Sequence, residues 1–211
     1  MDRDRMGRWM LWCGPASLAA LIAAAVVSRP FGNLPDPETV VEQARERRIP
    51  MLLGSWLQSL AGAMLIVFSV GLWARLRDAE GAPAVASSLA LAGGAASGAM
   101  VMVSASAVAA VAERGGRPGS TAESAAASVD LSNMLMGSAT PISLAVATGA
   151  TTVVAARTGV LPRWLQAASG GLTVGMLSPV SFVFVVGGFI WVAVVGAILG
   201  RERSLSGNRT T

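Results

Sequence analysis

The longest uncharged stretch of the chain sets the first limit on its fold. Residues 164–200 are 37 consecutive positions without Asp, Glu, Lys or Arg, and Arg163 and Arg201 flank them. A single helix of that length would measure about 55 Å, whereas the hydrocarbon core of a bilayer is about 30 Å thick. The stretch therefore predicts two membrane-crossing helices that turn near residues 178–181, with both ends on one side of the membrane.

The composition of the whole chain also indicates a membrane protein. Of its 211 residues, 53% are hydrophobic and 13% are charged, about half the charged share of a soluble domain. Long apolar runs recur along the sequence, so we predict one all-α membrane domain over residues 1–211. The net charge of +4 comes from arginines scattered between these runs, which does not indicate a nucleic-acid-binding surface.

The apolar runs predict an integral membrane bundle of six transmembrane helices, with five as the alternative if the last stretch crosses once. Residues 36–48 predict a short helix on the membrane surface, because they begin Asp-Pro-Glu, a typical helix start, and carry a weak apolar face. We expect residues 201–211 to form a disordered tail. The predicted spans are residues 9–28, 51–73, 84–112, 131–156, 164–178 and 181–200.

The first apolar run has two interpretations. Residues 9–28 are long enough to span a bilayer, but an Arg-rich start and an Ala-rich end also fit a secretory signal peptide. We favour an uncleaved span, because the run is long for a signal core and further spans follow it.

The small residues of the third span predict close helix packing. In residues 84–112, 20 of 29 positions are Ala, Gly or Ser, and Gly94 and Gly98 form a small-xxx-small pair. We therefore place this span at the centre of the bundle, least exposed to lipid. Gln58 is the one strongly polar residue of the second span, and it indicates a hydrogen bond between helices.

Pro141 interrupts the fourth span. It has no N–H to pair with the carbonyl of Gly137, so we expect a kink there. We expect Ser138 or Thr140 to satisfy the local backbone.

The residue types that the chain lacks limit its chemistry. It has no histidine, and Cys13 is its single cysteine. Zinc sites, haem ligation and serine–histidine catalysis therefore lack their usual ligand or base, and no disulfide can form within the chain. We expect no cofactor and no metal.

The distribution of arginine predicts the orientation. A six-span path places ten of the 16 arginines on the side of the N-terminus, with net charges of +5 there and −1 on the other side. The positive-inside rule makes the first side cytoplasmic, and Trp9, Trp73 and Trp164 fall at that boundary as an aromatic belt does. The absence of lysine and the excess of Ala and Gly suggest a GC-rich bacterial genome. We predict a multi-pass protein of the inner (plasma) membrane with both termini in the cytoplasm.

The candidate catalytic residues lie at the predicted outer boundary. Asp130 begins the fourth span, Glu113 ends the third, and Asn133 shares a helix face with Asp130 because it follows three residues later. If the protein has a functional pocket, these residues predict that it opens to the outer face beneath the surface helix, with Asp130 as its key acid. Alternatively, Asp130 only stabilises a helix start and Glu113 is an exposed boundary charge.

Two functions fit these features. The first is a structural or regulatory membrane protein that acts by helix packing with partners or lipids, since no charge lies deep in a span. The alternative is a membrane-embedded enzyme for a lipid or isoprenoid, such as an acid-catalysed cyclase in which Asp130 protonates an alkene or epoxide. A proton- or ion-coupled transporter is a third. Membrane lipids are the expected partners; a second copy, a partner membrane protein or an apolar small molecule also fits, and nucleic acid does not.

The C-terminal third resembles a family of small bacterial membrane proteins of unknown function with about six spans. Residues 157–165 read Arg-Thr-Gly-Val-Leu-Pro-Arg-Trp-Leu, and two apolar runs follow, with Trp191 in the last and Arg201 and Arg203 at its exit. The end of the second span, Gly-Leu-Trp-Ala-Arg-Leu-Arg at residues 71–77, is similar too. The resemblance implies this topology, and it brings no activity, cofactor or catalytic residue.

Overall fold

The computed structural model describes residues 3–28, 37–114, 121–178 and 181–206, and all regular structure within these ranges is helical. Residues Ala122–Thr158 form one helical segment without a break. The elements are α1 (Arg3–Ser28), α2 (Pro37–Glu46), α3 (Arg48–Glu80), α4 (Val85–Arg114), α5 (Ala122–Met134), the π turn (Leu135–Ala139), α6 (Thr140–Thr158), α7 (Arg163–Met176) and α8 (Ser181–Ser206).

The described helices confirm an all-α membrane bundle. Five of them are long and apolar enough to cross a bilayer: α1, α3, α4, the segment Ala122–Thr158, and α8. The fifth predicted span is a half-length helix, α7, whose 14 residues extend only about 21 Å. Pro179 follows shortly after α7 and disfavours helical backbone at the residue before it.

Neighbouring helices run antiparallel and form a ring in the order α1, α3, α4, α6, α7, α8. For example, Gly54 of α3 lies against Ser28 at the end of α1, whereas Gly71 lies against Met10 near its start. We call the end of the bundle where α2 lies the α2 end. We call the opposite end, where α3 and α6 finish, the far end.

The helix α2 packs onto the end of the bundle. Its apolar face buries Val40 and Ala44 completely, in a cluster with Met51, Val111 and Val129 from α3, α4 and α5. The predicted start of this helix at Asp36 lies outside the described residues. A larger apolar cluster fills the far half of the ring, where the indole N–H of Trp191 donates to the Ser169 hydroxyl at 2.6 Å.

The prediction that residues 84–112 form the central helix is wrong. In the apolar 18-residue window of α4, 39% of the window is buried inside the protein. The corresponding share is 50% for the windows of Ala122–Thr158 and of α8. A ring has no central helix, so small residues bring α4 close to α3 and α6 on two faces while a third face, with Leu89 and Val103, stays exposed.

The helix α8 extends beyond its predicted end. It continues to Ser206, six residues into the segment predicted as a disordered tail, because no Gly or Pro occurs between Gly200 and Gly207. Residues 207–211 lie outside the described part of the chain.

We expect Gly98→Ala to lower the unfolding free energy by about 1–3 kcal/mol, because its new methyl would overpack the α3–α4 contact. A Cβ at Gly98 would lie 2.6 Å from the backbone carbonyl oxygen of Gly62. Gly171→Ala is the control, since a Cβ at Gly171 on α7 has no neighbour within 4 Å. Denaturant titration in mixed micelles measures both. Equal stability of the two variants would contradict the close packing.

Candidate functional site

A hydrogen bond between distant parts of the chain sets the depth at which α8 begins. The hydroxyl of Ser181, the first residue of α8, donates to the backbone carbonyl of Gly137 at 3.0 Å. Pro141 cannot supply the N–H that this carbonyl would normally accept, so the serine replaces it. Gly137 lies about 22 Å along the helical segment from Ala122. The α7–α8 hairpin therefore turns well below the α2 end.

Ser138 satisfies the local backbone near Pro141, as predicted, because its hydroxyl donates to the carbonyl of Met134 at 2.6 Å. The carbonyl that it serves is not that of Gly137. The Thr140 hydroxyl is buried without a hydrogen-bond partner among the described residues. The backbone beside Pro141 forms the π turn Leu135–Ala139. The kink expected there stays a prediction.

The short hairpin leaves a cavity of about 420 Å³ in the half of the bundle nearer α2. Its walls come from α1, α3, α4, α5 and the π turn, while the first turns of α8 contribute Val185, Val186 and Phe189. The helices α1 and α5 face each other across this space without extensive contact. Most of the lining is aliphatic or aromatic, so the cavity suits an apolar occupant.

A polar chain crosses one wall of the cavity and joins three helices. The Gln58 amide donates to the Ser104 hydroxyl at 3.2 Å, and Ser104 shares a 2.7 Å hydrogen bond with the hydroxyl of Ser132. These residues come from α3, α4 and α5, and all three line the cavity. The predicted interhelical hydrogen bond of Gln58 is thus confirmed.

Ser55 is a second polar group in the wall, and its hydroxyl is unsatisfied. The residue is only 4% exposed, and its Oγ has no hydrogen-bond partner among the described residues. The seven other buried serines among the described residues all have a partner, and three of them, Ser69, Ser97 and Ser169, donate to a carbonyl four residues back. A buried unpaired hydroxyl costs free energy, but the Ser55 Oγ atom is itself closed off from the cavity and offers no hydrogen bond to an occupant.

The positively charged side chain of Arg47 lies at the α2 end of the cavity. Arg47, at the turn between α2 and α3, lines the cavity together with Gln43, which precedes it by one helical turn. The backbone N–H of Arg47 donates to the Gln43 carbonyl at 2.9 Å, which holds the two residues on one face. No carboxylate lines the cavity among the described residues.

The cavity opens sideways, towards the bilayer. Of its lining residues, Ile22 on α1 is 57% exposed and Val186 on α8 is 62% exposed. Ala25 on α1 and Asn133 on α5 are exposed as well. An opening edged mainly by apolar side chains between two spanning helices faces hydrocarbon, so a molecule dissolved in the bilayer can enter without crossing water.

The structure separates the three predicted site residues. Asn133 lines the cavity, which lies beneath α2 where the sequence predicts a pocket. Asp130 is exposed on α5 and does not line it. Glu113 also lies outside the lining and forms an ion pair with Arg48 at 3.2 Å. In the described part of the chain, no group of His, Cys, Asp or Glu is placed to hold a metal.

Sequence reasoning missed Arg47 and the role of the short hairpin. Arg45, Arg47 and Arg48 lie at the C-terminal end of the predicted helix 36–48, where arginines are common because they stabilise the helix dipole, so they give no separate signal of a site.

Comparison of the chain with protein-family models, curated proteins and solved structures gives no match. The resemblance to small six-span bacterial membrane proteins therefore stays a prediction.

We expect Ser181→Ala to lower the unfolding free energy by about 1 kcal/mol, because the Gly137 carbonyl loses its donor. In a Pro141→Ala background the loss should shrink, since the alanine restores a backbone N–H. Ser106→Ala is the control, because the Ser106 hydroxyl bonds only within its own helix. Chemical unfolding of the single and double variants measures the coupling. Additive effects would show that Ser181 does not serve this carbonyl.

Proposed function

We propose that this protein is a non-enzymatic, multi-pass membrane protein that holds one single-chain amphiphile taken from the surrounding bilayer. Its role is structural or regulatory, and it acts through helix packing with that lipid. The observation that carries the proposal is the largely apolar cavity that opens sideways between α1 and α5.

The size and lining of the cavity support a single chain with a polar group. Its volume of about 420 Å³ lies near the lower end of the 300–1,000 Å³ that is usual for ligand pockets. A lipid with two long chains would need more space. The exposed Asn133 amide in the lining offers hydrogen bonds that a plain hydrocarbon would not use.

The enzymatic alternative has less support. An acid-catalysed reaction needs a carboxylic acid within hydrogen-bond reach of the substrate. Asp130 and Glu113 do not line the cavity, and no other carboxylate of the described residues does. The groups in the wall are amides, hydroxyls and one guanidinium, which bind and orient a ligand.

We place the protein in the inner (plasma) membrane of a bacterium, with the far end in the cytoplasm. The arginine count supports this orientation, and both α1 at its start and α8 at its finish lie at the far end. There Arg77 lies 5.2 Å from the centre of the Trp73 ring, a pairing that suits the interface of a membrane. In this orientation the cavity lies in the outer half of the bilayer.

Val108→Phe should fill the cavity and weaken amphiphile binding at least about tenfold, because its ring would occupy the ligand's space. Val108 is half-buried on α4 and lines the cavity. Val103→Phe is the matched control, since Val103 is on the same helix, 49% exposed and not in the lining. Native mass spectrometry of delipidated protein titrated with 1-hexadecanol gives the occupancy. If both variants bind hexadecanol like the wild type, the cavity is not the site.

A cysteine introduced by Ser206→Cys, in a Cys13→Ser background, should react with thiol reagents only after the cells are permeabilised. Ser206 ends α8, and the proposed orientation places it in the cytoplasm. Labelling of intact cells by a membrane-impermeant maleimide would contradict the orientation but leave the amphiphile proposal intact.

A further inference from the structure

We infer that the amphiphile is anionic and that Arg47, assisted by Gln43, binds its head group at the α2 end of the cavity. This inference rests on the proposed function, and it adds the charge and the direction of the ligand. Its head is a carboxylate or a phosphate, and its chain extends from Arg47 towards Phe189.

The position of Arg47 in the cavity wall is the first observation that supports an anionic head group. Arg47 is the one charged residue in the described lining of the cavity, and it is half-buried. Within the described part of the chain, its guanidinium has no carboxylate partner. A cation drawn partly out of water, beside an apolar space, gains free energy when an anion neutralises it there.

The neighbouring residue, Arg48, is an arginine at the same end whose guanidinium has a carboxylate partner. Arg48 directs its side chain to Glu113 at 3.2 Å, and neither residue lines the cavity. The two arginines therefore have the same charge and nearly the same depth, but only Arg47 faces the cavity. This difference makes Arg48 a matched control for general electrostatic effects at this surface.

The shape of the polar groups favours an oxyanion. A guanidinium presents a planar fork of N–H donors that matches the two oxygens of a carboxylate or phosphate. The Gln43 side chain, one turn earlier on the same face, also lines the cavity and can add an amide donor. An ammonium or other cationic head would be repelled by Arg47 and would meet no carboxylate among the lining residues.

The apolar lining fixes the direction of the chain. From Arg47 the wall continues down α3 through Met51 to Gln58, a rise of about 16 Å over eleven residues. Leu21, Val108 and Phe189 complete the apolar surface around this path. A head at Arg47 therefore lies nearest the end of the helices, and the chain lies along their middle, as it would for a lipid of the same leaflet.

The test compares three probes that share a 16-carbon chain: 1-hexadecanol, palmitate and hexadecyl phosphate. Affinities are measured by native mass spectrometry of the full-length protein in phosphatidylcholine nanodiscs, so that bulk anionic lipid does not compete. We expect the wild type to bind at least one anionic probe about tenfold or more tightly than hexadecanol. Tighter binding of palmitate would identify a fatty acid as the source of the head, and tighter binding of hexadecyl phosphate would identify a lipid phosphate.

The variants then assign the preference to one side chain. Arg47→Gln should reduce the affinity for the preferred anionic probe about tenfold and leave that for hexadecanol unchanged, which also shows that the cavity is intact. Arg48→Gln should retain the wild-type preference. Equal losses in the two variants would indicate a general surface charge and overturn the inference.

The outcomes separate this inference from the proposed function. Equal wild-type affinities for the three probes, sensitive to Val108→Phe, would overturn the anionic head and leave the cavity as an amphiphile site. Failure of all three probes to bind would overturn the proposed function itself. The wild-type comparison needs no variant, so it decides the matter even if Arg47→Gln does not fold.

Discussion

A backbone carbonyl inside a bilayer must find a donor within the protein, and the Gly137 carbonyl finds it in Ser181. The need for a donor arises from the missing N–H of Pro141, and Ser181 meets it at the start of α8. Because α8 begins well below the α2 end, α7 has room for only 14 residues before the chain turns. The half-length helix leaves the space above it, and the opening between α1 and α5 lies beside that space.

The two halves of the bundle use different ways of packing. In the far half, glycines and small residues bring helices into contact, and buried side chains such as Phe68 and Trp191 fill the interior. Within a bilayer, association comes from such close packing rather than from exclusion of water. In the half nearer α2, α1 and α3 stay in contact at Gly54, whereas α1 and α5 stand apart across the cavity, and α2 closes its end with Val40 and Ala44. Close contacts thus hold the ring together, and the cavity lies in the half nearer α2.

The features that could be predicted from sequence are those that depend on local pattern. The length and apolarity of the runs predict the spanning helices. The pair Gly94 and Gly98 predicts a close helix contact, which the structure places between α3 and α4. The single amide of the second span predicts the hydrogen bond of Gln58. Which distant residue serves the Gly137 carbonyl does not follow from any periodicity, because it depends on how α8 packs. Arg47 could not be predicted as a lining residue for a similar reason. It lines the cavity only because α2 folds back over the bundle, and in the sequence it looks like any arginine near a helix end.

The sideways opening changes what affinity means for this protein. A ligand that arrives through hydrocarbon is already partitioned into the membrane, so its effective concentration is its mole fraction among the lipids of one leaflet. Occupancy then reports the composition of the leaflet rather than the aqueous level of the compound, and every neighbouring acyl chain is a competitor. A protein built in this way can respond to a small enrichment of one lipid in its own membrane.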